Sequence, residues 1–197
     1  MQIPRVKGAM GASRADPPGD AHALFKEEGL PDPPIPASLA AALRPAGTYV
    51  FSSRDLPESL YRIETYFRQA WDGTAPEYAA VGFDGHGVNS WAAHAYLVHG
   101  PAALFLQCRW GNVYDDKNRA RERIEGIFGL AGEVLAALEK AQHDGRLAAG
   151  QRLVLRHSDF SGSGWGWAGQ PESWRNEGEL SLLSALEAVV ALPAAGS

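Results

Sequence analysis

The chain has one cysteine, Cys108, among its 197 residues. A single cysteine excludes an internal disulfide and any metal cluster built on several thiolates, so a reducing compartment is the simplest expectation. Cys108 follows an apolar stretch and has only one base beside it in sequence, whereas reactive thiols need exposure and an electropositive setting. We therefore predict that Cys108 is a small core residue and that the protein is cytoplasmic.

Long hydrophobic runs are also missing. A membrane-spanning helix needs about 18 consecutive apolar residues, and no stretch of this chain approaches that length. Bases are in the minority, since 18 lysines and arginines face 23 acids and leave a net charge of −5. The chain therefore lacks the overall positive charge that attracts the phosphates of a nucleic acid. We expect neither a membrane nor a nucleic acid as partner.

Motifs that identify a reaction are absent as well. The small-residue segment Ser158–Gly164 lacks the Gly-Lys-Ser/Thr ending of a phosphate loop, and Gly162-Ser163-Gly164 does not have the spacing of a nucleophile elbow. The histidines at 86, 94, 99 and 157 are scattered without metal-ligand spacing. The sequence therefore predicts no cofactor and no metal, and it favours a protein without catalytic activity while leaving that question open.

What is present is the composition of a globular protein, with 45% hydrophobic and 21% charged residues. The length suits one ordinary domain. Residues 1–36 hold seven of the thirteen prolines and few large apolar side chains, so we predict a loosely ordered arm there and a single domain over residues 37–197. The frequent alanine, glycine and arginine are typical of a GC-rich bacterial genome.

The stretch Tyr78–Trp110 organises the predicted fold. Its residues suggest three strands at Tyr78–Phe83, Val88–Val98 and Ala102–Trp110, joined by two glycine-containing turns. Neither face of the two longer strands is strongly polar, which predicts a sheet covered on both sides.

Helices and further strands surround this meander. Apolar residues at three- and four-residue steps predict helices from Pro57 to Trp71, from about Lys117 to Gln142, and over Glu179–Leu192. Asp115 or Asp116 is the expected N-cap of the second helix. In the last helix we expect a buried stripe of Leu180, Leu183, Leu186 and Val190. A short helix at 38–43 and strands at 48–51 and 151–157 complete the prediction. The predicted class is α+β, an antiparallel sheet of about four to five strands with helices packed on it.

The glycine-rich segment Gly164–Glu177 contains three of the six tryptophans. Tryptophan and arginine are enriched as anchors at protein interfaces. These indoles are therefore either exposed anchors for a protein partner or side chains that fold back and plug the end of the core. The turn Gly85–Ser90 would extend the same surface. The predicted binding residues are Trp165, Trp167, Trp174, Arg175, His86 and Asn89.

A different hypothesis places a pocket at the strand ends, with His86, His94 and Asp159 as weak catalytic candidates. This small enzyme or ligand-binding protein would need one of the histidines within hydrogen-bond reach of a carboxylate that lines a cavity.

No motif indicates a family. A small, acidic, single-domain chain without a catalytic signature resembles in type the proteins that bind and neutralise a partner, as immunity proteins do for toxins. Our functional prediction is therefore a protein-binding module. A subunit of a larger assembly is a further possibility, and the sequence leaves the oligomeric state open.

Overall fold

The computed structural model describes residues 56–86, 90–112 and 117–194, together with two short strands, Arg14–Ala15 and Thr48–Tyr49. These two strands pair with each other in antiparallel fashion and form a sheet of their own. Thr48–Tyr49 lies where the sequence predicts its first strand. The rest of residues 1–36 and the helix predicted at 38–43 lie outside the described residues.

The main sheet has six strands, and their order in space is their order in sequence. They are β1 (Tyr78–His86), β2 (Ser90–His99), β3 (Ala102–Asn112), β4 (Leu153–Ser158), β5 (Gly164–Trp167) and β6 (Arg175–Asn176). The α+β class is confirmed. The predicted antiparallel sheet of four to five strands is wrong, because β3 and β4 run parallel and make the sheet a mixed one.

Three helices cover the two faces of this sheet: α1 (Leu56–Trp71), α2 (Lys117–His143) and α3 (Ser181–Val190). On one face, buried residues of α1 pack against Tyr96 and Phe105. On the other, buried residues of α2 and α3 pack against Leu104 and Leu155. The prediction of a sheet covered on both sides is confirmed.

Helix α2 explains the parallel pair. Strands that run parallel need a long connection to return the chain to the starting edge of the sheet. The 27-residue α2 supplies it between β3 and β4, which places Leu104 opposite Leu155. Because α2 begins near the end of β3, the carboxyl ends of β3 and β4 meet the first turns of this helix.

The segment that the sequence suggests is loop throughout, residues 158–176, contains two strands. Its glycines are required by close packing: a Cβ at Gly164 would lie 2.4 Å from the carbonyl oxygen of Arg175, and one at Gly166 would lie 2.7 Å from the Trp71 indole. Glycine within a strand often marks such a close approach. The correction is that β5 and β6 extend the sheet under an aromatic cover.

The buried side of α3 also differs from the prediction. Ser181, Leu182, Ala185 and Val189 are the buried residues of this helix. Leu180, Leu183 and Val190, expected in the core, are exposed. The reason is that apolar residues fall on several sides of this helix, whose one charged residue is Glu187, so periodicity alone does not determine which side faces inward.

Gly164→Ala should destabilise the protein by roughly 1–3 kcal/mol, because the added methyl group meets a backbone carbonyl that has no room to move. Gly126→Ala is the control. It lies inside α2 with nothing within 4 Å of an added Cβ, so it should stabilise the helix by up to about 1 kcal/mol. Urea denaturation of both variants measures the two changes, and equal effects at the two sites would contradict the close packing of β5.

Candidate functional site

An ion pair joins the end of β4 to helix α2. Arg123 donates from Nη1 to Oδ2 of Asp159 at 2.7 Å and from Nη2 to Oδ1 at 2.6 Å. The backbone N–H of Arg109 donates to the same Oδ2 at 2.7 Å. Burial alone would raise the pKa of Asp159, but these hydrogen bonds outweigh it and lower the pKa. Asp159 is therefore a carboxylate whose two oxygens are already bound.

The loop that carries Asp159 is held by Ser158. Its hydroxyl oxygen accepts hydrogen bonds from the N–H groups of Phe160, at 3.1 Å, and Ser161, at 3.0 Å. The same hydroxyl donates to Oε1 of Gln107 at 2.9 Å. The loop therefore presents Phe160 in a defined position, with its side chain 44% exposed and the Arg109 guanidinium 5.9 Å from the ring centre.

The Arg123–Asp159 ion pair also lies close to the start of α3. Nη2 of Arg123 lies 3.8 Å from Oε1 of Glu179, which belongs to the 3-10 turn Gly178–Leu180 immediately before α3. Leu180 is 63% exposed, Leu183 44% and Val190 63%. Among the side chains that the structure describes, which are those of residues 63–79, 93–109 and 122–194, these three and Phe160 are the exposed large hydrophobic ones.

We call this region the Arg123 surface. It consists of Phe160, Leu180, Leu183 and Val190 together with the ion network of Arg123, Asp159 and Glu179. An apolar patch with charged groups set into it is the usual composition of a site that another protein covers.

A buried histidine lies beneath the ion network. His157 is 3% exposed, and neither of its ring nitrogens has a hydrogen-bond partner among the residues that the structure describes. The alternation of β4 places it on the same face as Leu155, toward α2 and α3. Desolvation lowers the pKa of His157, and the charges of Asp159, Arg123 and Glu179 act on it from nearby. The imidazole is therefore neutral at pH 7.

The three tryptophans predicted as anchors do not form one platform. Trp165 is 5% exposed and belongs to the core on the α2–α3 face. Its Nε1 donates to Oγ of Ser184 at 3.1 Å, and the Arg175 guanidinium lies 5.8 Å from its ring centre. Trp167 is partly buried against the same core. For Trp165 the structure therefore matches the alternative in which the indole plugs the core.

Trp174 lies over the opposite face of the sheet. Its ring centre is 5.2 Å from that of Trp71 and 5.9 Å from that of Phe67, both in edge-to-face geometry. Its Nε1 donates to Oδ1 of Asn176 at 2.7 Å. The side chain is half-buried, so it offers a partner less surface than Phe160 does.

The remaining candidates are separated. His86 ends β1 opposite Ser90, and its side chain, like Asn89, lies outside the described residues. His94 is buried, with Nδ1 3.1 Å from the hydroxyl of Tyr96 on the α1 face. Asp159 binds Arg123 of α2, which covers the other face. The structure thus does not bring the side chains of His94 and Asp159 together.

Cys108 is fully buried, as the sequence predicts, and burial raises the pKa of its thiol. In the part of the chain that the structure describes, no group of three or more histidine, cysteine or acidic side chains is placed to hold a metal ion. Within the same residues, no helix combines the length and apolarity needed to cross a bilayer.

Comparison with models of protein families, with curated proteins and with solved structures finds no match for this chain. Sequence reasoning did not predict the Arg123 surface, although one signal was present: SLLSALEAVV has apolar residues on several sides and a single charged residue, Glu187.

Asp159→Asn should lower the free energy of unfolding at neutral pH by about 1–2 kcal/mol, since it weakens charge-assisted hydrogen bonds in a partly exposed pair. Because the folded-state pKa of Asp159 lies below its ordinary 3.8, this stabilisation is present above pH 3.8 and is lost as the pH falls through the folded value. Urea titrations between about pH 7 and pH 3 measure the loss.

Asp144→Asn is the matched control, because Asp144 also accepts from a cation, Lys140, but at an exposed position. The effect at Asp144 should be clearly smaller. An equal loss in both variants would show that the Arg123–Asp159 pair has no special structural role.

Trp165→Ala should destabilise the protein by roughly 3–5 kcal/mol, because it empties a core position and removes the bond to Ser184. Thermal and urea unfolding measure the loss, and Arg175→Ala, which shortens an exposed neighbour, serves as the control. A Trp165→Ala variant as stable as the wild type would contradict the buried indole.

Proposed function

We propose that this protein is a protein-binding module and that the Arg123 surface is its contact surface. The observation that carries the proposal is that the exposed large hydrophobic residues, among the side chains that the structure describes, are Phe160, next to Asp159, and Leu180, Leu183 and Val190, which lie in α3 or just before it. By type, such a module would bind and neutralise its partner, as immunity proteins do for toxins.

The outward residues of α3 support this interpretation. Leu183 and Val190 are seven residues apart and so lie on one side of the helix, while the neighbouring side, with Leu182 and Val189, already fills the core. The outward leucines are therefore not required to anchor α3. Apolar side chains in this position gain most of their stabilisation only when another surface removes them from water.

Phe160 supplies the pre-organised part of the surface. The two N–H bonds to Ser158 and the ion pair of the adjacent Asp159 hold the loop in place before any partner arrives. A rigid aromatic side chain loses little conformational freedom on binding, which makes it an effective anchor.

The segment that carries α3 is acidic and favours a partner with a basic contact there, while Arg109, Arg123 and Arg146 place positive charge at other points of the same region. Residues 176–197 contain three glutamates, Glu177, Glu179 and Glu187, and neither lysine nor arginine. Acidic groups at the rim of an apolar patch accelerate the approach of a positively charged protein and discriminate against acidic ones.

The alternative pocket around His86, His94 and Asp159 lacks a comparable observation. His94 and Asp159 lie toward opposite faces of the sheet, and both carboxylate oxygens of Asp159 are bound by Arg123 and the Arg109 N–H.

The double variant Leu180→Ser/Leu183→Ser should lose its partner while remaining folded. Truncating central apolar contacts of an interface typically costs about 2–4 kcal/mol of binding, or roughly 30- to 1,000-fold in Kd. Exposed substitutions of this kind change the free energy of unfolding by only about 0.5 kcal/mol each. Affinity capture from the native cell at neutral pH, followed by titration with the purified partner, measures the binding loss.

Ala136→Ser, at an exposed position on α2, is the control and should bind as the wild type does. A purified 1:1 complex that the double variant forms equally well would contradict the assignment of the Arg123 surface. A wild-type homodimer that the double variant converts to a monomer would mean that a second copy covers this surface.

A further inference from the structure

The buried imidazole of His157 destabilises the fold, and no structural role in the fold requires it. A buried polar group without a hydrogen bond is destabilising, and most such groups in native proteins have a partner. A leucine or methionine at this position would extend the core formed by Leu153 and Leu155 without that cost. The unsatisfied imidazole lies directly under the ion network of the Arg123 surface.

The charged groups around His157 come from three elements. Asp159 follows it on its own strand end, Arg123 comes from α2, and Glu179 from the turn before α3. On the neighbouring strand β3, Cys108 lies on the same sheet face and is uncharged, because burial raises the pKa of its thiol.

The arrangement described above, which we call the closed state, does not accommodate a protonated His157 ring. Protonated histidine presents two N–H donors and needs two acceptors. The nearest carboxylate, Asp159, already accepts from Arg123 and from the backbone of Arg109. Arg123 itself repels a second positive charge. A proton on His157 therefore requires that water enter or that Asp159 leave Arg123.

We propose that His157 is an acid-sensitive switch, whose protonation opens the loop at residues 158–163 and separates the Arg123 surface into disconnected parts. The only chemical event is the uptake of one proton from solvent. Either route of opening moves Phe160 away from its bonds to Ser158 and loosens the contact of Arg123 with Glu179. As regulation of partner binding this rests on the proposed function, but the opening itself is a property of the free protein.

The direction of the pH dependence follows from the two states. In the closed state the pKa of His157 lies below its ordinary 6.5, and in the open state the ring is hydrated and regains that value. The closed state is therefore fully favoured above pH 6.5. Below it, the opening equilibrium shifts by about tenfold for each pH unit until the closed-state pKa is reached.

Hydrogen exchange of the Phe160 and Ser161 amides, followed by NMR on the free protein, tests the switch. Spectra are recorded at about pH 7.5, 6.5, 5.5 and 4.5, with rates corrected for intrinsic exchange. The wild type should lose protection at both amides below pH 6.5, by about tenfold per unit. His157→Met should keep constant protection, and His143→Gln, which changes an exposed histidine of α2, should behave as the wild type.

Constant protection in the wild type, or the same loss in His157→Met, would overturn the proposal. In the second case another group, such as buried His94, would be the proton acceptor. If His157→Met does not fold, the ring resonances of His157 in the wild type replace it: the proposal requires that they titrate at the pH where the two loop amides open. No partner is used, so this outcome is independent of whether the Arg123 surface binds one.

Discussion

The bidentate pair between Arg123 and Asp159 connects the parts of this fold that local sequence leaves independent. Asp159 follows β4 and accepts a hydrogen bond from the Arg109 N–H of β3. Arg123 belongs to α2, the helix that connects β3 to β4, and it also approaches Glu179 just before α3. The Asp159 carboxylate thus joins the end of β4 to β3 and α2, and Arg123 extends the network to the turn before α3. The parallel pairing of β3 with β4 makes this possible, because it brings both carboxyl ends to the start of the crossover helix.

Strongly local signals were sufficient for much of the fold. The meander from Tyr78 to Asn112 and the long helix α2 follow from alternation and from helical periodicity. The two added strands, β5 and β6, do not, since Gly164 and Gly166 look like loop residues in isolation. Their glycines make sense only when Trp174 and Trp71 are placed on the sheet, and Trp71 lies far away in sequence. The direction of β4 is likewise set by α2 and not by its own residues.

The site was harder to predict than the fold, for a specific reason. Helix α3 carries apolar residues on several sides, so its rotation is decided by tertiary contacts such as the bond from Trp165 to Ser184. That contact belongs to the tryptophan that the composition suggests as an exposed anchor. The indole fills the core instead, and the leucines expected in the core face outward. The sequence predicts a contact surface in Gly164–Glu177, and of its three tryptophans Trp165 lies in the core.

The two proposals are coupled by linkage. A partner that binds only the closed Arg123 surface stabilises the state in which His157 is neutral, so it must lower the apparent pKa of His157 in the complex. Reciprocally, protonation of His157 in the free protein weakens the binding of that partner by the same factor. An unsatisfied histidine beneath an ion network is then a means of making binding depend on pH while every contacting side chain stays chemically unchanged. A methionine at position 157 would keep the surface and remove this dependence.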